Sequence, residues 1–137
     1  MTSKQVSIAD LKTMIGAELG VSDWIEIDQT MIDTFATTTR DRQWIHVDEE
    51  RAKRESPYRA PIAHGYLTLS LVPAMNEQLQ ITPANVDVTI NYGLDKLRFL
   101  APVKVGSRVR MHSKLISLEE KAPGQHLMKT LNTMEIE

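Results

Sequence analysis

Residues 64–79 constrain the fold more than any other part of this sequence, because they form an almost wholly apolar stretch of helical length. Its apolar side chains leave almost no polar stripe: Tyr66, Leu67, Leu69, Leu71, Val72, Ala74, Met75 and Leu79. A helix that is apolar nearly all round is a buried one. Pro73 removes one backbone hydrogen bond, so we expect a kink there or a new first turn.

Only strand-like segments follow this helix. They cover residues 86–92, 96–100, 107–119 and 126–137, with turns at Gly93, at residues 102–106 and at Ala122-Pro123-Gly124. One buried helix followed by long antiparallel strands predicts an α+β fold, in which a curved sheet wraps around the helix. With 137 residues and 42% hydrophobic content, the chain is expected to form one domain, residues 1–137.

The N-terminal half is predicted to contain two helices and a long loop. Ser7 can cap a helix over residues 8–19, and residues 21–27 alternate as a short strand. Asp28 can cap a second helix, which the threonines at positions 37–39 end. Residues 40–62 are irregular except for a turn or two of helix capped by Asp48, and long structured loops of this kind are often functional.

The composition of the chain argues against several classes of function. The net charge is −2, and the 16 basic and 18 acidic residues are interspersed, so no extended field would attract nucleic acid or an anionic membrane. The absence of cysteine excludes disulfides, thiolate metal sites and thiol chemistry. No segment has the length of a membrane span or the pattern of a secretory signal, and a cytoplasmic protein is the simplest interpretation.

Two short motifs carry the candidate chemistry. The run Asp41-Arg42-Gln43-Trp44-Ile45-His46 brings a carboxylate and an imidazole into one irregular segment, and His64-Gly65 sets a glycine at the start of the apolar helix. An acid/base pair facing a backbone donor is what proton chemistry next to a carbonyl requires. Taken alone, an Asp and a His at this spacing are more often a turn-capping residue and an ordinary loop residue than an acid/base pair.

Other interpretations of the same residues stay open. His46, Asp48 and His64 could bind a metal, although their spacing fixes no geometry. His64 fits a structural role better, with a hydrogen bond near the helix start. Six basic residues could meet the phosphates of a ligand, but five acidic ones interleave with them and favour a solvated face: Arg40, Arg42, Arg51, Lys53, Arg54 and Arg59 against Asp41, Asp48, Glu49, Glu50 and Glu55.

The same motifs resemble a known family. The chain looks like the MaoC-like, (R)-specific enoyl-CoA hydratases of the hot-dog fold, close to the NodN-like subgroup, and the resemblance covers nearly the whole chain. That family has an Asp, a hydrophobic residue and a His in one motif, and a hydrophobic-small-His-Gly run that opens the central helix. The matching positions are Asp41, Ile45, His46, the small Ala52, Ile62-Ala63-His64-Gly65, residues 91–99 and residues 102–106.

The resemblance implies a mechanism and an assembly. Asp41 and His46 would hold one water and shuttle its proton during syn addition to a trans-2-enoyl thioester, and the Gly65 N–H would stabilise the thioester oxyanion. Trp44 and Tyr66 would contact substrate, although packing roles suit both equally well. The family also implies a homodimer acting in fatty acid metabolism on coenzyme A or acyl-carrier thioesters. No cofactor, metal, nucleic acid or membrane is implied.

Two departures from the family pattern bear on activity. Arg40 stands where the motif has glycine, which permits a positive φ, so the arginine can change the direction in which Asp41 points. The sequence ends at Glu137, where relatives have a turn and a further strand, so either the sequence is truncated or its sheet is one strand short, with an exposed edge. Two alternatives therefore accompany the hydratase hypothesis: a thioesterase on the same fold, and a catalytically silent acyl-binding or assembly module.

Overall fold

A computed structural model of the chain describes residues 3–137. In chain order, the elements in that range are β1 (Lys4–Val6), α1 (Ile8–Lys12), β2 (Glu18–Val21), β3 (Ile25–Glu26), α2 (Gln29–Thr39), α3 (Trp44–Val47), α4 (Glu49–Glu55), α5 (Gly65–Ser70), α6 (Val72–Asn76), β4 (Ile81–Pro83), β5 (Arg108–Ala122) and β6 (Gln125–Ile136). They fall into two compact units, each built from separate stretches of sequence.

The first unit contains residues 3–23, 73–94 and 110–135. Here β1 pairs in parallel with β4, and β2 pairs antiparallel with β5, so that Val21 lies opposite His112. A two-residue turn, Pro123-Gly124, joins β5 to β6, which pairs with β5. Its core is formed by fully buried apolar side chains: Leu11, Leu19, Met75, Met111 and Leu115.

The second unit contains residues 24–72, 95–109 and 136–137 and carries both motifs. Strand β3 pairs antiparallel with the start of β5, where Ile25 lies opposite Val109. Asp28 caps α2 by accepting a hydrogen bond from the Met31 N–H at 2.9 Å, and Asp48 caps α4 in the same way through the Arg51 N–H at 3.1 Å. Both predicted caps are therefore confirmed.

The predicted helix over residues 8–19 is wrong beyond its first turn. Ser7 caps α1 as expected, but the helix ends at Lys12 and the chain re-enters extended structure at Glu18. Gly16 has a φ of 90°, and its N–H donates to the Leu115 carbonyl at 2.7 Å. Pairing with β5 thus replaces the helical hydrogen bonds that the apolar spacing suggested. The strand predicted over residues 21–27 is confirmed only in part: Val21 is the last residue of β2, Ile25–Glu26 form β3, and the residues between them are not in a strand.

The apolar stretch of residues 64–79 forms two short helices, α5 and α6, with a break at Leu71. Pro73 is the second residue of α6, so the predicted disruption is confirmed and takes the form of a new first turn. The residues buried in this stretch are His64, Leu67, Thr68, Met75 and Leu79, whereas Tyr66 is 64% exposed.

The strands predicted over residues 86–92 and 96–100 are wrong, because that part of the chain has no regular structure. Its apolar side chains are strongly exposed: Val88, Ile90, Tyr92, Leu94, Phe99 and Leu100, the last at 92%. The two strands predicted after residue 106 are confirmed as β5 and β6, with Gly106 and Gly124 at positive φ in the turns. Within residues 3–137, no helix has the length and apolar character needed to cross a membrane.

Candidate active site

Arg40 ends α2 in the left-handed region and so sets the direction of the following aspartate. Its φ is 67° and its ψ is 14°, and its N–H donates to the Ala36 carbonyl at 2.8 Å. This is the conformation that glycine usually supplies after a helix. Arg40 therefore adopts the glycine-like backbone that the family motif calls for, at a conformational cost, and the chain turns as it would with glycine.

Asp41 lies on the surface with its carboxylate only weakly engaged. Its N–H donates to Thr39 Oγ1 at 3.3 Å, and its Oδ1 accepts from the Gln43 N–H at 3.4 Å. The second bond is the turn-capping contact expected of an isolated aspartate, but it is long for a hydrogen bond. The carboxylate consequently keeps acceptor capacity for a further partner.

His46 is buried within the short helix α3, with 7% of its surface exposed. Its Nδ1 lies 2.7 Å from the Ile62 carbonyl oxygen, which can only accept, so Nδ1 carries the proton and Nε2 keeps a lone pair. Burial lowers the pKa of His46 from 6.5, and the neighbouring His64 adds to the lowering, while the Ile62 carbonyl and Asp41 oppose it. A neutral imidazole with one free nitrogen is suited to act as a base.

His64 directs its side chain to Asp41, and the predicted hydrogen bond near the helix start is wrong. It is the N-cap residue of α5 but makes no side-chain cap bond. Its Nε2–H instead donates to the backbone carbonyl of Asp41 at 2.9 Å. Its other nitrogen, Nδ1, is buried and has no hydrogen-bond partner.

The fold brings Asp41, His46 and His64 into one cluster. A carboxylate oxygen and one ring nitrogen from each histidine all lie within 4.8 Å of one another. Two hydrogen bonds of about 2.8 Å through a shared water span roughly this separation, so one water fits between acid and base. The predicted pair is thus close in space, with a third side chain beside it.

A cation is a poorer occupant of this cluster than a water. The His46 and His64 rings are stacked, with centroids 3.9 Å apart and planes inclined by 24°. Lone pairs lie in the ring planes, so those of stacked rings run side by side and do not converge at the roughly 2.0–2.1 Å that a Zn–N bond requires. Asp48, the third residue of the predicted metal alternative, instead caps α4.

Gly65 is the first residue of α5, so its N–H has no acceptor within that helix. A β-carbon added to Gly65 would lie 2.7 Å from two ring carbons of Phe99. Phe99 in turn makes an edge contact with Tyr66 at 5.8 Å between ring centroids. The structure thus supplies a packing reason for glycine at this position, in addition to the open approach that the family suggests.

The remaining residues from the sequence prediction mainly contact other side chains of the protein. Trp44 is half-buried and stacks beneath the Arg51 guanidinium at 4.2 Å, and Arg51 also pairs with Glu55. Lys53 lies 3.9 Å from Glu50, which fits the predicted solvated face. Arg98 lies in the same second unit as these residues, and its Nη1 donates to the Leu97 carbonyl at 2.7 Å.

An apolar groove of about 320 Å³ lies next to the cluster. Its lining residues come from α2 and α5: Thr30, Met31, Thr34, Phe35, Thr38 and Leu67. The ring of Phe35 meets that of His64 edge to face, with centroids 5.0 Å apart. Sequence reasoning gave neither Phe35 nor Phe99 a part in the site, because only chain folding brings these residues to His64 and Gly65.

Known proteins are similar to this chain over almost its full length. The model of the MaoC like domain matches residues 10–135. "Nodulation protein N" of Rhizobium leguminosarum bv. viciae is 47% identical over 133 residues, covering 97% of this chain and 83% of that protein. "3-hydroxyacyl-thioester dehydratase Z" of Mycobacterium tuberculosis (strain CDC 1551 / Oshkosh) is 46% identical over 131 residues, covering 96% of this chain and 85% of that protein.

Solved structures share the fold at low sequence identity. A "Monoamine oxidase regulatory protein from Archaeoglobus fulgius" superposes with a TM-score of 0.78 at 22% identity, covering 99% of this chain and 88% of that chain. An "(R)-hydratase from A. caviae involved in PHA biosynthesis" superposes with a TM-score of 0.70 at 22% identity, covering 89% of this chain and 84% of that chain. The predicted hot-dog fold class is confirmed, and the structure combines an antiparallel sheet with helices.

Proposed function

Because the chain belongs to the MaoC-like family and is a dehydratase or hydratase enzyme of that family, we propose that it is an (R)-specific enoyl-CoA hydratase. It would add water in the syn sense to trans-2-enoyl thioesters and, in reverse, dehydrate (R)-3-hydroxyacyl thioesters. The observation that carries this proposal is the placement of the Asp41 carboxylate within 4.8 Å of a buried His46 ring nitrogen.

The proposed reaction uses one water held between Asp41 and His46. Its oxygen bonds to the β-carbon as the carbon–carbon double bond opens, and a water proton passes to the pair, which protonates the α-carbon on the same face. The free lone pair of His46 Nε2 and the lowered pKa of this imidazole support its part as base. Asp41 would orient the water and share the proton.

Negative charge on the thioester oxygen needs a donor as the water adds. We assign the Gly65 N–H to this task, because it has no intrahelical acceptor and begins the helix that follows His64. Tyr66 and Trp44 are proposed to contact the substrate at its edges. The acyl chain is proposed to lie along the groove beside Phe35. Met31→Trp narrows this groove, so it should slow the turnover of octenoyl-CoA more than that of crotonyl-CoA. A ratio of the two rates equal to that of the parent would contradict this placement.

The substrate is proposed to be an acyl thioester of coenzyme A or of acyl carrier protein, and no metal or cofactor takes part. We propose a homodimer acting in cytoplasmic fatty acid metabolism. The dimer is supported by the exposed apolar side chains of residues 86–100, which alternate as in a strand without a pairing partner. A second copy of the chain would cover them.

The decisive experiment follows loss of the conjugated-enoyl absorbance of crotonyl-CoA, with and without a chelator. We expect turnover by the parent in both conditions, and a loss of about 100-fold or more in Asp41→Asn and His46→Gln. Asp48→Asn and His126→Gln serve as matched controls, because they change an exposed carboxylate and a partly exposed imidazole outside the cluster. No turnover by the parent, or full activity in both site variants, contradicts the hydratase proposal.

The two alternatives are separated in the same experiment. Release of free thiol without loss of the double bond would identify a thioesterase. Tight acyl-CoA binding without any chemical change would identify a silent binding module, which is the alternative that Arg40 suggested. The structure weakens the basis of that suggestion, because Arg40 has the left-handed backbone conformation that glycine usually supplies at this position.

A further inference from the structure

We propose that His64 is a positioning residue of the acid/base pair, holding the Asp41 backbone through its Nε2–H while its ring supports His46. This inference rests on the hydratase function proposed above. It extends that function to a side chain that touches both members of the pair. The resemblance to the family assigns His64 no part in the reaction.

Apart from the hydrogen bond from His64, Asp41 has little to hold it in place. The residue is exposed and follows the left-handed Arg40. Its own N–H bond to Thr39 is 3.3 Å long and its carboxylate bond from Gln43 is 3.4 Å long. The bond from His64 is 2.9 Å and therefore has the best length of the three.

The side chain of His64 is itself held rigidly. Only 3% of its surface is exposed. One contact of its ring is the stacked His46 ring, and another is the edge of Phe35. A buried donor fixed on two sides can hold a loop carbonyl in place, whereas an exposed donor would move with the loop.

The hydrogen bond of the His64 side chain is made to the site and not to the helix that His64 begins. An N-cap side chain normally accepts from the first turn of its helix, but His64 makes no such bond. It donates its single N–H to the Asp41 carbonyl. Its Nδ1 is left buried without a hydrogen-bond partner, and that unpaired nitrogen lowers the stability of the fold. Such an unpaired buried nitrogen is retained more readily where the ring has a functional task.

The test uses two substitutions that separate the ring from the donor. His64→Phe keeps an aromatic ring for stacking and removes the N–H. His64→Gln loses the ring but carries an amide N–H at about the reach of His Nε2. With crotonyl-CoA we expect kcat to fall by about 30-fold or more in His64→Phe with KM changed by less than about threefold, and to recover to within about fivefold of the parent in His64→Gln.

A second measurement does not depend on turnover. The Asp41 carbonyl shares a peptide group with the Arg42 N–H, so loss of the hydrogen bond should shift and broaden the Arg42 amide resonance in NMR spectra of His64→Phe. The resonance should stay near its parent position in His64→Gln. His126→Phe, at an exposed histidine, is the matched control, and circular dichroism checks that every variant is folded.

The two failures can be told apart. If the parent does not hydrate crotonyl-CoA, the proposed function fails, and the Arg42 resonance still decides whether His64 holds Asp41. An unshifted Arg42 amide in His64→Phe overturns the positioning role. So does an active parent whose kcat is unchanged in His64→Phe, or a folded His64→Gln variant that is no better than His64→Phe.

Discussion

The ring of Phe99 occupies the space that a β-carbon on Gly65 would need, at 2.7 Å from its ideal position. A β-carbon on Gly65 would therefore have to displace this half-exposed ring, whatever part the Gly65 N–H takes in the reaction. A side chain here would have to displace an aromatic ring, and that displacement can be separated experimentally from the loss of a backbone donor.

Gly65→Ala is expected to destabilise the fold by about 1–3 kcal/mol, the usual range for overpacking a filled site. Chemical denaturation of Gly65→Ala and of Gly65→Ala combined with Phe99→Leu measures the effect. The second change makes room for the methyl group, so it should restore part of the lost stability. An alanine variant as stable as the parent would contradict the contact with Phe99.

Arg40→Gly is expected to raise stability by about 1 kcal/mol, because glycine adopts a φ of 67° without the steric cost that arginine bears. Thermal unfolding of Arg40→Gly and Arg40→Ala makes the comparison, since alanine removes the long side chain but keeps the β-carbon. We expect crotonyl-CoA turnover to stay within about twofold of the parent, because the backbone already has the required direction. Equal stability of the two variants would show that no backbone strain is relieved.

The rate of hydration is expected to fall on the acid side with an apparent pKa below 6.5, because burial lowers the pKa of His46 and only its neutral form can accept a proton. The same shift affects stability. His46 binds a proton more readily in the unfolded chain, so its stabilising contribution is complete above pH 6.5 and is lost as the pH falls through the folded value. A profile of kcat/KM against pH measures the first effect, and an acid limb above 6.5 would contradict it.

Glu135 is expected to stabilise the β5–β6 hairpin at neutral pH but not in strong acid. Arg110 and His112 hydrogen-bond to its carboxylate and lower its pKa from 4.5 to about 2. This stabilisation is complete above pH 4.5 and disappears as the pH falls towards 2. Urea unfolding of Glu135→Gln should therefore show a deficit at pH 7 that shrinks at pH 3, whereas the exposed Glu77→Gln should show none at either pH.

The exposed apolar segment is expected to lie in a dimer interface. Replacing Ile90 and Tyr92 together by lysine should convert a dimer into a monomer, because two charges would be buried at the interface. Sedimentation analysis at micromolar concentration gives the mass. Leu131→Lys changes a similarly exposed apolar residue on β6 and should leave the dimer intact. A monomeric parent, or double-lysine and Leu131→Lys variants that both remain dimeric, would argue against this interface.

Local signals in the sequence predicted a substantial part of the fold. The caps at Ser7, Asp28 and Asp48 hold because capping depends on a side chain and a backbone N–H only a few residues away. The long final strands and the turn between them follow from alternation and from Pro123-Gly124. Helix α1 falls short because Gly16 bonds to Leu115, a partner that no local pattern indicates.

By itself, the sequence determined the family, the fold class and the identity of Asp41, His46 and Gly65 as candidates, because these depend on residue types at set spacings. Only the tertiary structure decided which groups surround them. It paired His64 with Asp41, stacked it on His46 and set Phe99 against Gly65. Those contacts join residues distant in sequence, and their geometry follows from packing of the whole unit, which spacing along the chain does not encode.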